Sequence, residues 1–163
     1  MMWTLSYRAD QAARVITDRH YNRQKVGAVQ FAPPGRCLVL RDHHCVWITS
    51  WPFAEFVRHA WAGAWINSLF RKECGGSASI AIRQAVAATR WRWPEVPPLG
   101  MVTFVDPQRV PGVVRRGKRI FGYSYLKAGF EHVGFTKGGL WAWQLLPDRM
   151  PSPARPLELK RIA

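Results

Sequence analysis

The chain of 163 residues has few acidic residues, few cysteines and no long apolar run. Only 10 Asp and Glu accompany 24 Lys and Arg, so the formal net charge is +14. No window of about 18 consecutive apolar residues is present, and we therefore predict no transmembrane helix and no membrane partner. The N-terminal residues lack the apolar segment of a signal peptide. With 3 cysteines and no export signal, we expect reduced thiols and a cytoplasmic protein.

Apolar residues make up 48% of the chain, which is typical of a globular protein and argues against disorder. A chain of this length predicts a single domain with its own core. Arginine supplies 18 of the 24 basic residues. Such a strong positive charge predicts an acidic partner, and nucleic acid is the first candidate.

Hydrophobic periodicity predicts an α/β domain with one mixed central sheet flanked by helices. Predicted strands cover residues 3–8, 37–40, 45–49, 66–72, 101–105, 134–137 and 140–145. Predicted helices cover residues 11–21, 52–64, 78–90 and 123–130, with Asp10 and either Ser77 or Ser79 as N-caps. Residues 107–122 are expected to form a loop. We place the domain at residues 1–146, followed by a Pro-rich basic tail at 147–163.

A glycine turn follows the predicted strand over residues 66–72. It reads Gly75-Gly76-Ser77-Ala78-Ser79 and leads into a predicted helix. Such a turn presents backbone N–H groups beside the positive end of the helix dipole, which favours a phosphate or pyrophosphate. It is not a Walker A loop, because no Gly-Lys-Ser/Thr follows at that spacing. An ordinary strand-to-helix turn with a serine cap is the alternative.

A later segment, Tyr125-Leu126-Lys127-Ala128-Gly129-Phe130, is typical of a short helix with a glycine cap. With the glycine turn it resembles the GCN5-related N-acetyltransferase (GNAT) superfamily, in which strand 4 leads into a pyrophosphate-binding turn and a late helix carries Tyr-x-x-x-Gly-Phe. The family's turn reads Gln/Arg-x-x-Gly-x-Gly/Ala; here Gly76-x-Ala78 matches its end, and Glu73 stands in the leading position. The resemblance implies a GNAT-like sheet of about seven strands. It also implies that acetyl-CoA or a related acyl donor binds at Phe70, Arg71 and residues 75–79.

Four scattered segments carry a narrower resemblance. They are His20-Tyr21, Asn67-Ser68-Leu69-Phe70-Arg71-Lys72-Glu73, Val105-Asp106-Pro107, and Gly122 through Tyr125 to Phe130. They resemble the bacteriophage Mom-type DNA-modification proteins, a divergent branch of the same superfamily. Its Mom members modify adenine in phage DNA and so protect that DNA from restriction. The resemblance implies a DNA-modifying enzyme in the cytoplasm of a bacterial host.

The resemblance implies catalytic roles for Tyr125 and Asp106. Tyr125 matches the superfamily tyrosine that can protonate a departing CoA thiolate, a role that suits a phenol because its pKa lies above that of a thiol. Packing of Tyr125 against Phe130 is the alternative. Asp106 ends a predicted strand at the edge of the sheet where ligands bind, and it is a candidate base or orienting group. The alternative for Asp106 is a turn residue before Pro107.

Glu73, His20 and Tyr21 complete the candidate catalytic set. Glu73 is a candidate base, or else an acid that favours the helix dipole. Strand alternation places it on one face with Arg71, which predicts a polar site near Asn67, although an exposed face would carry the same residues. His20 could act as a base or a metal ligand, or it could offset the dipole of the preceding helix. Some members of the Mom branch are linked with iron, which makes His20, Asp106 and Tyr125 a candidate iron site.

Two basic stretches are candidates for nucleic-acid contact. Arg109, Arg115, Arg116, Lys118 and Arg119 lie in residues 107–122, which contain no acid, and this favours phosphate contact. Arg90-Trp91-Arg92-Trp93 alternates guanidinium groups with indoles at a predicted helix end. Its arginines, Arg90 and Arg92, could bind nucleic acid, but the favoured interpretation is that they offset the negative helix end while the indoles pack.

The sequence therefore predicts a Mom-like transferase that adds an acyl-derived or carbamoylmethyl-type group to a DNA base, with adenine the expected target. Two alternatives stay open. One is an acyl-CoA-dependent N-acetyltransferase that acts on a small amine or a protein. The other is a non-catalytic basic module that only binds nucleic acid.

Overall fold

Runs of apolar and β-branched residues form the strands of the computed structural model, which describes residues 1–73 and 75–160. In chain order the strands are β1 (Thr4–Leu5), β2 (Cys37–Arg41), β3 (Cys45–Ser50), β4 (Trp65–Lys72), β5 (Met101–Val105), β6 (Val113–Arg115), β7 (Lys118–Ile120), β8 (Glu131–Phe135) and β9 (Trp141–Leu145). The α-helices are α1 (Gln11–Thr17), α2 (Ala78–Arg92) and α3 (Tyr123–Lys127), and short 3-10 turns cover Ala54–Phe56 and Pro147–Arg149.

Seven of these strands form one mixed sheet in the order β1-β2-β3-β4-β5-β9-β8. The β4–β5 pair is parallel and the other pairs are antiparallel. A parallel pair requires a crossover, and α2 provides it. The predicted single α/β domain with a seven-stranded mixed sheet is confirmed. No helix in the described residues is long and apolar enough to cross a membrane.

The helix α2 covers one face of the sheet and α1 covers the other. Ser77 caps α2 by accepting a hydrogen bond from the backbone N–H of Ile80 at 3.3 Å. Four fully buried indoles lie in the core between α2 and the sheet: Trp3, Trp47, Trp65 and Trp143. The smaller core under α1 consists of Ala13, Ile16, Phe31, Val39, Val46, Ile48 and Leu69. Asp10 caps α1 as predicted, but this helix ends at Thr17 rather than near residue 21.

An irregularity in the pairing of β4 with β3 changes which face of the sheet the last side chains of β4 occupy. Leu69 pairs with Ile48 and Asn67 pairs with Thr49, so Ser68 is an extra residue in the ladder. A bulge of this kind resets the alternation of side chains. Leu69 therefore joins the core under α1, whereas Phe70 packs against the core under α2.

The neighbouring strands β4 and β5 pair over a short distance. Their described pairs run from Trp65–Met101 to Asn67–Thr103. Beyond those pairs, side chains from both strands line a cavity. The sheet is therefore open at its centre, next to Asn67.

The prediction of a helix over residues 52–64 is wrong. Only Ala54–Phe56 forms a short 3-10 turn, and Gly63 takes a positive φ of 98°. The helical spacing of the apolar residues does not produce a buried face, since Phe53 and Phe56 are 62% and 76% exposed. Helical spacing alone does not stabilise a short helix when no core receives its apolar side.

The prediction of a loop over residues 107–122 is also wrong. Strands β6 and β7 form a hairpin there, separate from the main sheet. Its two central residues, Arg116 and Gly117, have φ angles of 51° and 73°. A two-residue hairpin turn of this kind needs a positive φ at both central residues, which usually are Asn, Asp or Gly. The arginine at the first position is not typical of such a turn, so the sequence did not predict it.

The Pro-rich tail packs against the domain as far as the structure describes it. Leu157 hydrogen-bonds through its backbone to Trp3 and Leu5 at 2.9 and 2.7 Å, and the Ala154 N–H donates to the Ala87 carbonyl of α2 at 3.1 Å. Residues 161–163 of the predicted tail lie outside the described residues. So does Cys74, one of the cysteines expected to be reduced.

Candidate functional site

Asn67 lies where β4 and β5 part, and its side chain is the hub of a buried hydrogen-bond network. Its amide nitrogen donates to the carbonyls of Ile48 and Leu69 at 3.1 and 3.0 Å, which satisfies the backbone around the bulge. Its amide oxygen accepts from the hydroxyl of Tyr125 at 2.6 Å and from that of Thr103 at 3.2 Å. Asn67 is only 4% exposed, so these bonds satisfy its amide in place of bonds to water.

Tyr125 reaches this network from α3. Its ring packs edge-on against Phe70 at 6.5 Å and Phe130 at 5.3 Å, so the predicted packing contact with Phe130 exists. Gly122 precedes α3 with a φ of 98°, and a Cβ there would lie 2.5 Å from the Trp143 indole nitrogen. Burial raises the pKa of Tyr125 far above its ordinary value. The phenol therefore carries its proton at neutral pH, as a proton donor must.

A cavity of about 240 Å³ opens between β4, β5 and α3. The described structure brings three predicted catalytic residues to its wall: His20, Tyr21 and Tyr125. Phe70, a predicted donor-binding residue, lines it too, as do Asn67, Thr103 and Tyr123, which the prediction did not include among the site residues. We call this the first cavity.

His20 and Tyr21 lie on the turn after α1. Their rings stack at a centroid distance of 4.5 Å, and the His20 Nδ1 accepts from the Asn22 N–H at 3.0 Å. Burial, reinforced by the nearby Arg71 charge, lowers the pKa of His20 to about 4. Burial raises the pKa of Tyr21. Both side chains are therefore uncharged at neutral pH.

A second, larger cavity of about 800 Å³ lies on the α1 side of the sheet. It shares wall residues with the first cavity: Tyr21, Asn22, Asn67, Ser68, Leu69 and Phe104. The remaining wall comes largely from the segment over residues 22–34, which has no regular structure. The two cavities thus adjoin each other at their shared residues, among them Asn67.

Asp106 lines the second cavity and shapes the turn after β5. Its carboxylate accepts from the Gln108 N–H at 2.9 Å, and its backbone N–H donates to the Tyr21 hydroxyl at 3.5 Å. The predicted turn role is therefore present, together with a place at the cavity wall.

The candidate iron site is not supported by the arrangement of the side chains. In residues 1–73 and 75–160, no group of three or more His, Cys, Asp and Glu side chains could hold a metal ion. Of the candidate ligands, the Tyr125 hydroxyl is hydrogen-bonded to Asn67, and Asp106 is engaged by Gln108. The described structure places His20 and Tyr125 on the wall of the first cavity and Asp106 on that of the second, and iron binding stays a prediction.

Glu73 belongs to a separate ion cluster rather than to the cavities. Its carboxylate accepts from the Arg19 Nε at 2.7 Å and from the Arg71 Nε at 2.5 Å. Hydrogen bonds from Arg19 are the main reason that the pKa of Glu73 falls to about 2. A carboxylate so weakly basic is a poor proton acceptor at neutral pH, and these contacts favour a structural role for both Glu73 and Arg71.

The Gly75–Ser79 turn caps α2 without lining either cavity. Gly76 has a φ of 91°, the Ser77 and Ser79 hydroxyls lie 2.9 Å apart, and the Lys72 ammonium donates to the Gly75 carbonyl at 2.6 Å. The serine cap of the alternative interpretation is thus present. Donor binding at residues 75–79 stays a prediction.

The β6–β7 hairpin carries four exposed cations: Arg115, Arg116, Lys118 and Arg119. Within the part of the chain that the structure describes, no carboxylate forms an ion pair with them. The Arg115 guanidinium lies 4.8 Å from the centre of the Tyr123 ring, which lines the first cavity. Val113 of the same hairpin also lines that cavity. The hairpin cations therefore adjoin the site, and Arg109 lines the neighbouring second cavity.

The stretch 90–93 has a different environment. The Arg90 Nη1 donates to the Pro151 carbonyl at 2.7 Å, and Trp93 packs against Trp51 and Trp65 at 5.5 and 6.1 Å. These contacts favour the structural alternative for Arg90. Arg92 is exposed.

A polar site near Asn67 was predicted, but the hydrogen bonds of Asn67 with Thr103 and Tyr125 and the second cavity were not. A buried asparagine in the apolar run Trp65-Ile66-Asn67-Ser68-Leu69-Phe70 was the available signal, because such positions seldom carry an amide without a partner. Comparison of the chain with protein-family models, curated proteins and solved structures found no match in any of the three.

Proposed function

We propose that the chain is a GNAT-like transferase of the Mom type, which adds an acyl-derived or carbamoylmethyl-type group to a DNA base. One observation carries this proposal. A partly buried, protonated Tyr125 lies at the opening between β4 and β5, next to a hairpin whose four cations have no acidic partner among the described residues.

The order of the elements supports the GNAT-like part of the proposal. Strand β4 leads through the Gly75–Ser79 turn into the long helix α2, which returns to the parallel strand β5. The Tyr-x-x-x-Gly-Phe segment then follows as α3, and its tyrosine lines the opening of the sheet. The glycine turn and the Tyr-x-x-x-Gly-Phe segment together predict this order of elements for a site that binds an acyl donor.

For the transfer of an acyl group, an amine of the base attacks the carbonyl carbon of the donor thioester. A C–N bond forms, the C–S bond breaks, and Tyr125 gives its proton to the leaving thiolate. The proton lost by the amine returns to the tyrosine through water. Burial raises the proton affinity of a thiolate as well as that of a phenolate, so the transfer between them stays feasible. Asn67 accepts a hydrogen bond from the Tyr125 hydroxyl and so positions this proton donor.

The basic hairpin and the second cavity support DNA as the acceptor. Arginines without acidic partners are suited to bidentate contacts with phosphate. The second cavity has room for a nucleotide and has aromatic walls at Tyr21 and Phe104, which suit a base. An enzyme that acts on a base in a duplex must take that base out of the stack, and such a pocket would receive it.

Mass analysis of nucleosides tests the reaction. DNA is isolated from cells that express the wild-type chain or the Tyr125→Phe variant, and the exposed Tyr7 supplies the matched control Tyr7→Phe. We expect a modified base with the wild type and the control, and a loss of about 100-fold or more with Tyr125→Phe. An unmodified nucleoside profile from the wild type contradicts the proposal. Acetyl-CoA turnover without DNA would instead indicate an acetyltransferase for a small amine or a protein.

The salt dependence of DNA binding tests the partner. Changing Arg115, Arg116 and Arg119 to Gln should weaken binding and lower the slope of log K against log salt by about 0.9 for each phosphate that the variant no longer neutralises. Lys137→Gln removes an exposed cation that lines neither cavity and should change the slope little. An unchanged slope in the triple variant would mean that the hairpin does not contact phosphates. DNA binding without modification would indicate the non-catalytic module.

A further inference from the structure

The segment between β3 and β4, residues 51–64, exposes two phenylalanines to solvent. Phe53 is 62% exposed and Phe56 is 76% exposed, the highest value among the large apolar side chains that the structure describes. Their rings contact each other edge to face at 6.4 Å. Folding does not account for them, because burial of aromatic rings is favourable and an exposed pair marks an interaction surface.

A rigid base holds these two rings away from the domain. The Phe56 N–H donates to the Phe53 carbonyl at 3.0 Å and closes the 3-10 turn. The Arg36 guanidinium lies over both Trp51 and Phe53, at 4.2 and 5.2 Å from the ring centres. Trp51 in turn packs edge-on against the buried Trp65 at 5.9 Å. The exposed pair is therefore anchored to the core.

The same segment adjoins the candidate site. His59 and Trp61 contact Phe104 at ring-centre distances of 5.0 and 5.7 Å, and Phe104 lines both cavities. Two exposed cations, Arg36 and Arg58, flank the phenylalanine pair. Residues 51–64 contain one acid, at position 55, so the surroundings of the pair are basic on balance.

We propose that Phe53 and Phe56 form a wedge that inserts between stacked bases of duplex DNA and helps to release the target base from the stack. Apolar side chains inserted at a base step unstack it and kink the duplex, while neighbouring arginines bind the phosphates. The basic surroundings complement DNA rather than an apolar protein surface. This inference rests on the proposed function, because it takes DNA to be the substrate.

Binding measurements with the full chain and three DNA probes test the wedge. The probes are a short intact duplex, the same duplex with a central mismatch, and the single strand. The double variant Phe53→Ser/Phe56→Ser is compared with Tyr7→Ser, which removes an aromatic ring that is 57% exposed and lines neither cavity. Circular dichroism checks that each variant folds.

We expect the double variant to bind the intact duplex about tenfold more weakly than wild type, and the other two probes within about twofold, because a mismatch or a single strand needs less unstacking. A 2-aminopurine in the intact duplex should brighten with wild type and Tyr7→Ser but not with the double variant. Equal losses on all three probes, or no loss on any, overturn the wedge and leave the proposed function intact. Failure of the wild type to bind any of the probes overturns both.

Discussion

The end of α1 and the strand β4 supply two polar clusters that lie side by side but differ in their access to water. In the ion cluster, Arg19 and Arg71 bind Glu73 at a surface where the side chain of Arg19 is 47% exposed. The second cluster, which we call the dry junction, consists of His20, Asn67 and Tyr125. All three line the first cavity, and the Tyr125 hydroxyl donates a hydrogen bond to Asn67. Consecutive residues of one turn, 19 and 20, thus enter different environments.

Access to water decides the charge state in each cluster. In the ion cluster, opposite charges offset one another and lower the pKa of Glu73 to about 2. In the dry junction, burial lowers the pKa of His20 to about 4 and raises that of Tyr125, so both groups are neutral. Glu73 and Arg71, which suggest chemistry in the sequence, therefore bind each other near the surface, whereas the uncharged His20 and Tyr125 line the first cavity.

The largest difference between the two clusters should appear on truncation of Asn67. Asn67→Ala leaves the Ile48 and Leu69 carbonyls and the Tyr125 hydroxyl without their partner. We expect a loss of about 2–4 kcal/mol in the free energy of unfolding, measured with urea. The neighbouring variant Ser68→Ala removes a part-buried hydroxyl bonded to Ser50 and should cost under about 1 kcal/mol. Equal losses of unfolding free energy in the two variants would mean that the hydrogen bonds of Asn67 contribute no more to stability than those of Ser68.

A smaller effect should follow the titration of His20. Its pKa is about 4 in the folded chain against 6.5 ordinarily, so the unfolded chain binds more protons between these values. Stability from a neutral His20 is complete above about pH 6.5 and falls as the pH drops toward 4, by about 1–3 kcal/mol.

Unfolding in urea at pH 7 and pH 4.5 measures this loss. His20→Gln should lose less stability than wild type over that interval, because the amide does not titrate. His43→Gln, at an exposed histidine, is the matched control. Parallel losses in wild type and His20→Gln would show that His20 is hydrated in the folded chain.

The smallest effect is expected in the ion cluster. The lowered pKa of Glu73 adds stability above about pH 4.5, and this is lost as the pH falls through that value toward 2. Because the cluster is exposed, Glu73→Gln should cost under about 1 kcal/mol at pH 7, and less in high salt. Glu95→Gln, at an exposed carboxylate, should cost nothing measurable. A loss as large as that of Asn67→Ala would remove the distinction between the clusters.

Local sequence signals predicted the elements that depend on neighbouring residues. The Ser77 cap and the apolar face of α2 could be predicted from the sequence because a helix start depends on a few adjacent positions. Strands β2, β3 and β5 were readable from their short apolar runs. The helix over 52–64 failed because Phe53 and Phe56 have no core to pack against and Trp61 contacts Phe104, which lies outside the segment.

The site was predictable in its members but not in its arrangement. His20, Tyr21 and Tyr125 were identified from short motifs, and all three line the first cavity. The separation of Asn67 from Glu73 was not predictable. It depends on the bulge at Ser68, which is set by the pairing of β4 with β3.

The sequence by itself determined the positive charge, the seven strands of the main sheet and the residue types available for chemistry. The tertiary structure decided which of these residues are buried and which are exposed to water. Burial depends on strands and helices that are distant in the chain, and it sets the proton affinity of His20 and Tyr125. The same long-range packing brings Arg19 to Glu73, whose pKa falls because of that contact. The +14 charge likewise became a local feature only when the β6–β7 hairpin placed four cations beside the first cavity.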